Sequence, residues 1–273
     1  MNLAFYTYFY GSERNGAFKI PTIPSLKYKC FYYTNNLSLL FLLKKTKWIP
    51  IYDNKQTKDD IIQSNMMGKY IKTCPHMFPH LKEFDYLCYL DSKLEDVSEK
   101  FVEDYIHKYF STNANYALIL RNHTFIKPNV WEEYEVSMEQ HRYKIQSDTY
   151  KKYINSQVDS GLKTETPYHC QCGFLIRNMK HPEINNIGET WLQHIQMCGI
   201  QDQISFFFVK QLFSDFILPF KEIPFDPILR EGGDEGNPIA LTDKKFTTIF
   251  NEILDQIIIR PKSLIGVRLN INT

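Results

Sequence analysis

Long apolar runs are missing from this sequence of 273 residues, and their absence argues against a helical membrane span. A spanning helix needs about 20 consecutive apolar residues, whereas the strongest candidate, Leu37 to Leu43, is directly followed by Lys44 and Lys45. Residues 1–10 are apolar but carry neither a basic region nor a small-residue cleavage site, so a signal peptide is not indicated. We therefore expect a cytoplasmic protein without a membrane span.

A surplus of either charge is also missing, because 32 Lys and Arg residues face 31 Asp and Glu residues, for a net charge of +1. Proteins dedicated to duplex nucleic acids normally carry a basic excess. We therefore expect no nucleic-acid partner, although a local basic patch remains open. Only 7 of the 32 basic residues are arginine, so most positive groups are lysine point charges rather than bidentate forks.

A disulfide framework is the third absence. The six cysteines follow none of the spacings of small secreted domains, so reduced thiols in a cytosolic protein are the simplest interpretation. His169, Cys170 and Cys172 raise zinc as an alternative, but the second pair of ligands that a structural zinc site needs is missing nearby. Buried thiols remain the other interpretation of these residues.

Strand-like and helix-like segments alternate along the chain, which predicts an α/β fold of three layers around a mostly parallel sheet. The hydrophobic fraction of 43% suffices for a sizeable core. The predicted strands are 2–10, 29–34, 48–52, 86–90, 116–120, 173–176 and 216–223. The predicted helices are 57–73, 95–110, 182–198, 201–213 and 246–259, with part of 130–158 helical and a glycine-rich loop at 230–238.

The polar residues that follow the predicted strands are the first candidates for a site, because ligands bind outside the carboxyl ends of parallel strands. They are Tyr10-Gly11-Ser12, Thr34-Asn35-Asn36, Asp53-Asn54 and Asp91-Ser92-Lys93. Neither Gly-x-Gly-x-x-Gly nor Gly-Lys-Ser/Thr occurs, so the usual dinucleotide and P-loop sites are not supported. The rim of amides, a hydroxyl and a carboxylate suits a base and a ribose.

Asp91 directly follows the apolar run 86–90 and has two interpretations. A carboxylate there can hold a divalent cation that bridges nucleotide phosphates, or it can be a turn residue or a helix N-cap. Lys93 stands where the second carboxylate of an Asp-x-Asp pattern would be. A cation at that position would weaken metal binding and could itself neutralise a diphosphate.

Asn65, Lys69 and Lys72 are spaced i, i+4 and i+7, which places them on one stripe of the predicted helix 57–73. Two ammonium groups and an amide on one stripe could grip a diphosphate and the edge of a sugar. A solvated helix face is the alternative interpretation.

Asp202 and Gln203 open the predicted helix that follows Gly199. Asp202 is either the N-cap of that helix or a general base for an acceptor hydroxyl, and Gln203 could hydrogen-bond sugar hydroxyls. The histidines form no metal-spaced cluster, and we expect structural roles for most of them. His123 is the one that we single out as a candidate.

Several pieces of the chain, in a fixed order, carry a family resemblance. They are Tyr33-Thr34-Asn35-Asn36 with Trp48-Ile49, the pattern Asn65-x-x-x-Lys69-x-x-Lys72, Phe78-Pro79 followed by 86–93, Trp191, and Asp202-Gln203-x-Ser205-Phe206. Asp91 stands at the aspartate of the family's Trp-x-Asp-Gly motif. Over roughly residues 28–210, the chain resembles the glycosyltransferase-like domains first described in plant turgor-regulation and mucilage-synthesis proteins, which have relatives in bacteria and large DNA viruses.

The resemblance implies a nucleotide-sugar transferase of the GT-A type, a three-layer α/β/α sandwich formed by one domain over 1–273. Its nucleotide-binding half would be about 1–125 and its acceptor-binding half about 126–273. The resemblance further implies a UDP-sugar donor, a divalent metal ion such as Mn²⁺ or Mg²⁺, and a glycan or glycoprotein acceptor. Asp202 would be the base of an inverting mechanism.

The resemblance also distributes the candidate residues over these roles. Asp91 would hold the metal ion or the diphosphate, and Tyr8, Tyr10 and Tyr33 would offer rings for stacking on the base. The candidates for donor binding are Tyr8, Tyr10, Thr34, Asn35, Asn65, Lys69, Lys72, Asp91, Ser92 and Lys93. The candidates for acceptor binding are His123, Gly173 and Gln203.

The chain departs from the family pattern at three points. Gln201 replaces the arginine that precedes Asp-Gln, Met66 replaces the arginine after Asn65, and no histidine follows His194, although GT-A enzymes often use a late histidine as a metal ligand. Together with Lys93, the missing histidine keeps a second hypothesis open. In that hypothesis the protein is a catalytically silent nucleotide- or glycan-binding protein on the same scaffold.

The lack of an anchor and the Lys-, Asn- and Tyr-rich composition make the chain similar to chlorovirus enzymes that build capsid glycans outside the secretory pathway. This resemblance implies UDP-xylose as the first donor to test, a viral capsid glycan as the acceptor, and the host cytoplasm as the location.

Overall fold

A sheet of seven strands lies at the centre of the part of the chain that the structure describes. The computed structural model describes residues 1–12, 19–57, 60–110, 115–123 and 125–225. The strands are β1 (Leu3–Phe9), β2 (Lys29–Thr34), β3 (Ile49–Tyr52), β4 (Tyr86–Leu90), β5 (Leu118–Asn122), β6 (Cys170–Asn178) and β7 (Ile217–Phe220). The helices are α1 (Leu37–Leu43), α2 (Ile61–Thr73), α3 (Glu99–Tyr109), α4 (Val130–Ser137), α5 (His141–Lys144), α6 (Ser147–Asp159), α7 (Ile184–Cys198) and α8 (Asp202–Leu212). The predicted loop 230–238 and the predicted helix 246–259 lie outside the described residues.

The strand order β3-β2-β1-β4-β6-β5-β7 confirms the predicted α/β fold around a mostly parallel sheet. The pairs β1–β2, β1–β4, β2–β3 and β5–β7 are parallel, whereas β6 runs antiparallel to β4 and β5. The order reverses at β1, because β2 and β3 lie on one side of it and β4 lies on the other. Ligands bind outside the carboxyl ends of the strands at such a switch point, which here means the ends of β1 and β4.

Helices cover both faces of the sheet, which confirms the three predicted layers. On one face, α2, α7 and α8 contribute Ile71, Trp191 and Phe206 to a core that they share with the strands. On the other face, Phe101 of α3 packs edge-on against Phe174 of β6. Helices α4, α5 and α6 pack outside α7 and α8 around a second apolar core.

Local sequence signals fix the bounds of α2, which carries two of the candidate lysines. The Asp60 side chain caps the helix by accepting from the backbone N–H groups of Ile62 and Gln63, so the helix begins later than the predicted residue 57. It ends at Thr73, as predicted, because Pro75 follows and cannot continue a helix. Gly68 lets α2 lie directly on β1, since a Cβ at residue 68 would clash with the Tyr8 ring.

The sequence did not predict α1. Asn35 and Asn36 are predicted only as polar residues that follow a strand, and Leu37–Leu43 is too uniformly apolar to show a helical period. In the structure Asn36 is instead the N-cap of α1, because its side chain accepts from the Leu39 N–H. The same Asn-rich signal therefore starts a short helix rather than only ending a strand.

The six cysteines are buried and free, so the sulfur atoms belong to the packed interior. Cys170 and Cys172, for which zinc was the alternative, contribute to the core under α7 and α8. None of the described helices combines the length and the apolarity that crossing a bilayer demands.

Gly188 on α7 gives a test of the packing between α7 and the end of α2. A Cβ at residue 188 would clash with the backbone carbonyl of Thr73. Replacing a helix-interior glycine by alanine normally stabilises a protein by about 1 kcal/mol, but we expect Gly188→Ala to destabilise this protein by about 1–3 kcal/mol through overpacking. Urea unfolding measures the change, with Asn185→Ala on the exposed side of α7 as the control. A stabilised Gly188→Ala variant would refute the close approach.

Candidate functional site

Asp202 and two lysines form a buried ion-pair cluster. The Nζ atom of Lys72 lies 2.5 Å from Asp202 Oδ2, and the Nζ atom of Lys69 lies 3.1 Å from the same oxygen. All three side chains are at least nine-tenths buried, so the interpretation of the lysine stripe as a solvated face is wrong. The N-cap interpretation of Asp202 is also wrong, because Gln201 occupies the N-cap of α8.

The charges of this cluster shift one another's pKa values. Burial alone would raise the pKa of Asp202, but Lys69 and Lys72 outweigh it and lower this pKa to about 2. Burial would lower the pKa of Lys72, but the Asp202 and Asp91 carboxylates outweigh it and hold this pKa above its usual value. For Lys69 burial prevails, and its pKa is lowered despite the attraction of Asp202. Lys69 therefore holds its proton less firmly than Lys72.

Lys72 is enclosed more completely than Lys69. Its Nζ atom lies 5.0 Å from the ring centroid of Tyr89 and 5.6 Å from that of Trp191, at cation–π distance. The Arg177 guanidinium donates to the backbone carbonyl of Lys72 over 2.5 Å and thereby holds the last turn of α2. The Lys72 side chain is 2% exposed and that of Lys69 is 10% exposed. Lys69 is thus the lysine closer to solvent.

Asp91 lies at the carboxyl end of β4, on the side of the cluster where β6 begins. Its Oδ1 accepts a hydrogen bond of 2.5 Å from the Tyr89 hydroxyl, and its backbone N–H donates to the Gly173 carbonyl. A Cβ at residue 173 would lie 2.9 Å from Asp91 Oδ2, so the glycine keeps this side of the carboxylate open. Ser98 caps α3, and Asp91 is therefore not the N-cap of that helix.

The donor set for a divalent metal ion is small. No three His, Cys, Asp or Glu side chains come together as a metal site within the described residues. Mg²⁺ is commonly bound by one or two carboxylates together with substrate phosphates. Asp91 fits such a mode, because its Oδ2 faces the side that Gly173 leaves open.

Tyr8 of β1 and Tyr10, which directly follows β1, are the first two candidate rings for stacking on the base. The Tyr8 ring stacks on Tyr89 with centroids 5.6 Å apart, and the Tyr10 ring lies 6.1 Å from Tyr8. Tyr8 is half-buried, whereas Tyr10 is buried. Tyr33 of β2 packs edge-on against Phe78 in the core. Of the three candidate rings, Tyr8 is the one whose side chain interacts electrostatically with Lys72.

The side chains that end β2 join the loops at this edge. Asn35 Oδ1 accepts from the Gly11 N–H over 2.8 Å, and Asn35 Nδ2 donates to the Lys55 carbonyl over 2.9 Å. The Thr34 hydroxyl accepts from the backbone N–H of Asn36. In this structure both candidates shape the rim of the site through contacts within the protein.

Three further candidates are Asn65, Ser92 and Lys93. Among the described residues, none of the three forms a hydrogen bond or ion pair with Lys69 or Lys72. Asn65 donates from Nδ2 to the Ile61 carbonyl one turn earlier in α2. Ser92 interacts with the Tyr32 side chain, and Lys93 is exposed in the turn after β4. Lys93 is therefore accessible to a ligand that approaches from solvent.

Two of the three acceptor-side candidates, His123 and Gln203, belong to a second polar cluster at the end of β5, whereas Gly173 lies beside Asp91. His123 Nδ1 accepts from the backbone N–H groups of Phe125 and Ile126, and burial lowers the pKa of this ring to about 4. The His123 ring stacks on His169 at 5.5 Å. Gln203 Nε2 donates to Glu133 over 2.9 Å, while its Oε1 accepts from the Cys172 N–H.

Sequence reasoning missed several residues that build the site. Tyr89 was hidden inside the apolar run of β4, and Glu133 lies in a polar segment whose pattern singles out no residue. Arg177 had a usable signal, because a charged residue within the apolar stretch of β6 must find a buried partner. In the structure these partners are the Tyr6 hydroxyl and the Lys72 carbonyl.

The comparisons with known proteins concern the fold. The sequence matches no protein-family profile and no curated protein. Among solved structures, the chain is similar to mouse xyloside xylosyltransferase 1 in its apo form, with a TM-score of 0.48 and 10% identity over 81% of this chain and 85% of that chain. It is also similar to the apo structure of the bifunctional glycosyltransferase WbbM, with a TM-score of 0.44 and 10% identity. That match covers 80% of this chain and 38% of WbbM.

Because the pKa of Asp202 is lowered, the free energy of unfolding depends on pH in the acid range. Because the folded-state pKa of about 2 lies below the ordinary 3.8, the stabilisation is complete above about pH 5 and is lost as the pH falls towards 2. The shift corresponds to about 2 kcal/mol. We expect the difference in unfolding free energy between the wild type and Asp202→Asn to shrink by about this amount from about pH 5 to 2.

Urea unfolding at stepped pH measures this difference. Asp104→Asn is the control, because Asp104 pairs with Lys100 on the exposed side of α3 and should give a nearly constant difference. A constant difference for Asp202→Asn as well would contradict the buried ion pair.

Proposed function

We propose that this protein transfers a sugar from a UDP-sugar to a hydroxyl group of a glycan acceptor. The observation that carries the proposal is the buried Lys69–Asp202–Lys72 cluster, whose lysines also interact electrostatically with Asp91 at the switch point of the sheet. This arrangement brings together groups that act on the leaving diphosphate and on the attacking hydroxyl. Ammonium groups stabilise a leaving diphosphate, and a carboxylate accepts the proton of the attacking hydroxyl.

Lys69 is the proposed contact for the leaving diphosphate. It shares Asp202 Oδ2 with Lys72, lies at the longer distance and is the more exposed of the two. Lys72 is held by Asp202, two aromatic rings and the anchored end of α2. Lys72 therefore remains as the counter-ion of Asp202 when Lys69 turns to the phosphate.

Asp202 is the proposed base. With a pKa of about 2 it is ionised at neutral pH but weakly basic, whereas an effective base has a pKa nearer the working pH. Transfer of Lys69 from Asp202 to the diphosphate removes one of the two charges that lower this pKa. The acceptor hydroxyl then gives its proton to Asp202, its oxygen bonds to the anomeric carbon, and the bond to the diphosphate breaks with its electron pair on the phosphate oxygen.

A divalent cation such as Mn²⁺ or Mg²⁺ is part of the proposal. Asp91 would hold it together with the diphosphate of the donor, on the side that Gly173 leaves open. The cation would supply charge neutralisation for the leaving group. UDP-xylose is the first donor to test, and a capsid glycan is the proposed acceptor.

The alternative is a silent nucleotide- or glycan-binding protein on the same scaffold. The same low pKa favours it, because a carboxylate held by two lysines is a structural ion pair as well as a potential base. The alternative predicts that UDP-sugars raise the melting temperature without transfer or hydrolysis. A panel of UDP-sugars with and without Mn²⁺ separates the two functions.

Asp202→Asn tests the base directly. The amide keeps the size of the side chain but cannot accept the proton, so we expect UDP to bind within about threefold of wild type while transfer falls by at least about a hundredfold. Calorimetry with UDP and product analysis with UDP-sugars measure the two quantities. Full transfer by the variant would remove Asp202 from the mechanism.

A pair of methionine variants tests the division of roles between the lysines. Lys69→Met should weaken UDP binding about tenfold or more with a small loss of stability, since it removes the proposed phosphate contact. Lys72→Met should destabilise the fold by about 3–5 kcal/mol, because it removes the closer partner of a buried charge. Calorimetry and urea unfolding on both variants provide the comparison. Equal effects of the two variants on both quantities would show that the lysines share one role.

A further inference from the structure

Glu133 on α4 is the centre of a buried hydrogen-bond network next to the candidate site. Its side chain is 2% exposed. The Oε1 atom accepts from Gln201 Nε2 at 3.0 Å, Gln203 Nε2 at 2.9 Å and the Ser137 hydroxyl at 3.2 Å. The Oε2 atom accepts from His169 Nε2 at 2.7 Å. Four donors thus converge on one carboxylate, three of them on Oε1.

The two glutamines of this network flank Asp202 in the sequence. Gln201 is the N-cap of α8 and Gln203 is its second residue, and both donate to the same oxygen of Glu133. Gln203 also accepts from the Cys172 N–H, which ties it to β6. The first turn of α8 is therefore fastened on both sides of Asp202, while the Asp202 side chain itself points to Lys69 and Lys72.

The N-terminus of α8 has no side-chain cap, because the N-cap residue Gln201 makes no capping hydrogen bond. The contacts of Gln201 and Gln203 with Glu133 hold this end of the helix instead. The backbone carbonyl of Asp202 accepts hydrogen bonds from Trp191 Nε1 of α7 and from the Ser205 hydroxyl in α8 itself. Glu133 on α4 contacts the two glutamines that flank Asp202. A buried acceptor that loses its charge leaves several donors competing for fewer lone pairs.

We propose that Glu133 is a positioning residue that holds the Asp202 side chain against Lys69 and Lys72. The catalytic part of this role rests on the proposed transfer function. Glu133 does not touch the cluster, and it acts through Gln201 and Gln203. A displacement of a catalytic group by about 1 Å can reduce a rate about a hundredfold. Glu133 thus controls the rate through the orientation of the first turn of α8.

The first experiment is a double-mutant cycle that requires no activity. Glu133→Gln keeps the shape of the side chain but replaces one acceptor by a donor, and Asp202→Asn removes the carboxylate of the ion pair. If Glu133 holds Asp202 in place, the double variant is less destabilised than the sum of the single variants. The same cycle with Glu135→Gln, on the exposed side of α4, should be additive. Additive effects at residue 133 would overturn the proposal.

The second experiment uses steady-state kinetics with a UDP-sugar that the wild type transfers. We expect Glu133→Gln to lower kcat about tenfold or more and to leave KM for the donor within about twofold, because Lys69 still contacts the diphosphate. Unchanged kcat would overturn the proposal. If the wild type binds UDP-sugars without transfer, the proposed function fails, while the double-mutant cycle still decides whether Glu133 positions Asp202.

Two milder variants cover the case in which Glu133→Gln does not fold. Gln201→Met and Gln203→Met each cut one connection to Glu133 and leave its carboxylate paired with His169. Each should lower kcat in the same direction as Glu133→Gln and should show a smaller coupling to Asp202→Asn. Wild-type kcat in both variants would also overturn the proposal.

Discussion

The ion pair between Asp202 and Lys72 constrains the architecture around it. Each charge is almost completely buried, and a buried charge without its partner is strongly destabilising. The two residues belong to elements far apart in the sequence, at the end of α2 and the start of α8. The chain must therefore bring these two helix ends together on one face of the sheet. The Gly188–Thr73 approach of α7 and the Arg177 contact to the last turn of α2 serve this requirement.

The antiparallel strand β6 explains why the groups meet at one edge. Because β6 runs against β4, it begins where β4 ends, and its residue Gly173 lies opposite Asp91. If β6 were parallel to β4, its carboxyl end would lie at this edge, and Gly173 would not lie opposite Asp91. The reversal at β1 adds Tyr8 to the same region. One change of strand direction and one reversal of strand order thus place side chains from distant parts of the chain at the same edge of the sheet.

Sequence periodicity predicted the part of the site that lies on one element. The spacing of Lys69 and Lys72 required a common face if the segment was helical, and Asp91 was recognisable because it ends an apolar strand. Neither pattern contains the information that both lysines meet Asp202, because that contact depends on how α8 packs. Glu133 was not predicted for the same reason, since its four donors come from α4, from His169 just before β6, and from the start of α8 with its N-cap residue. Helix α1 was not predicted, because its apolar run shows no helical periodicity.

The proposed function is consistent with the balance of charge around Asp91 and Asp202. Lys69, Lys72 and the exposed Lys93 are opposed by Asp91 and Asp202, so these five groups carry one excess positive charge. The diphosphate of a nucleotide sugar carries more negative charge than this excess can neutralise. A divalent cation at Asp91 would make up the difference. In the proposed function, Lys69 would leave Asp202 for the phosphate, and Lys72 would stay behind as the counter-ion of Asp202.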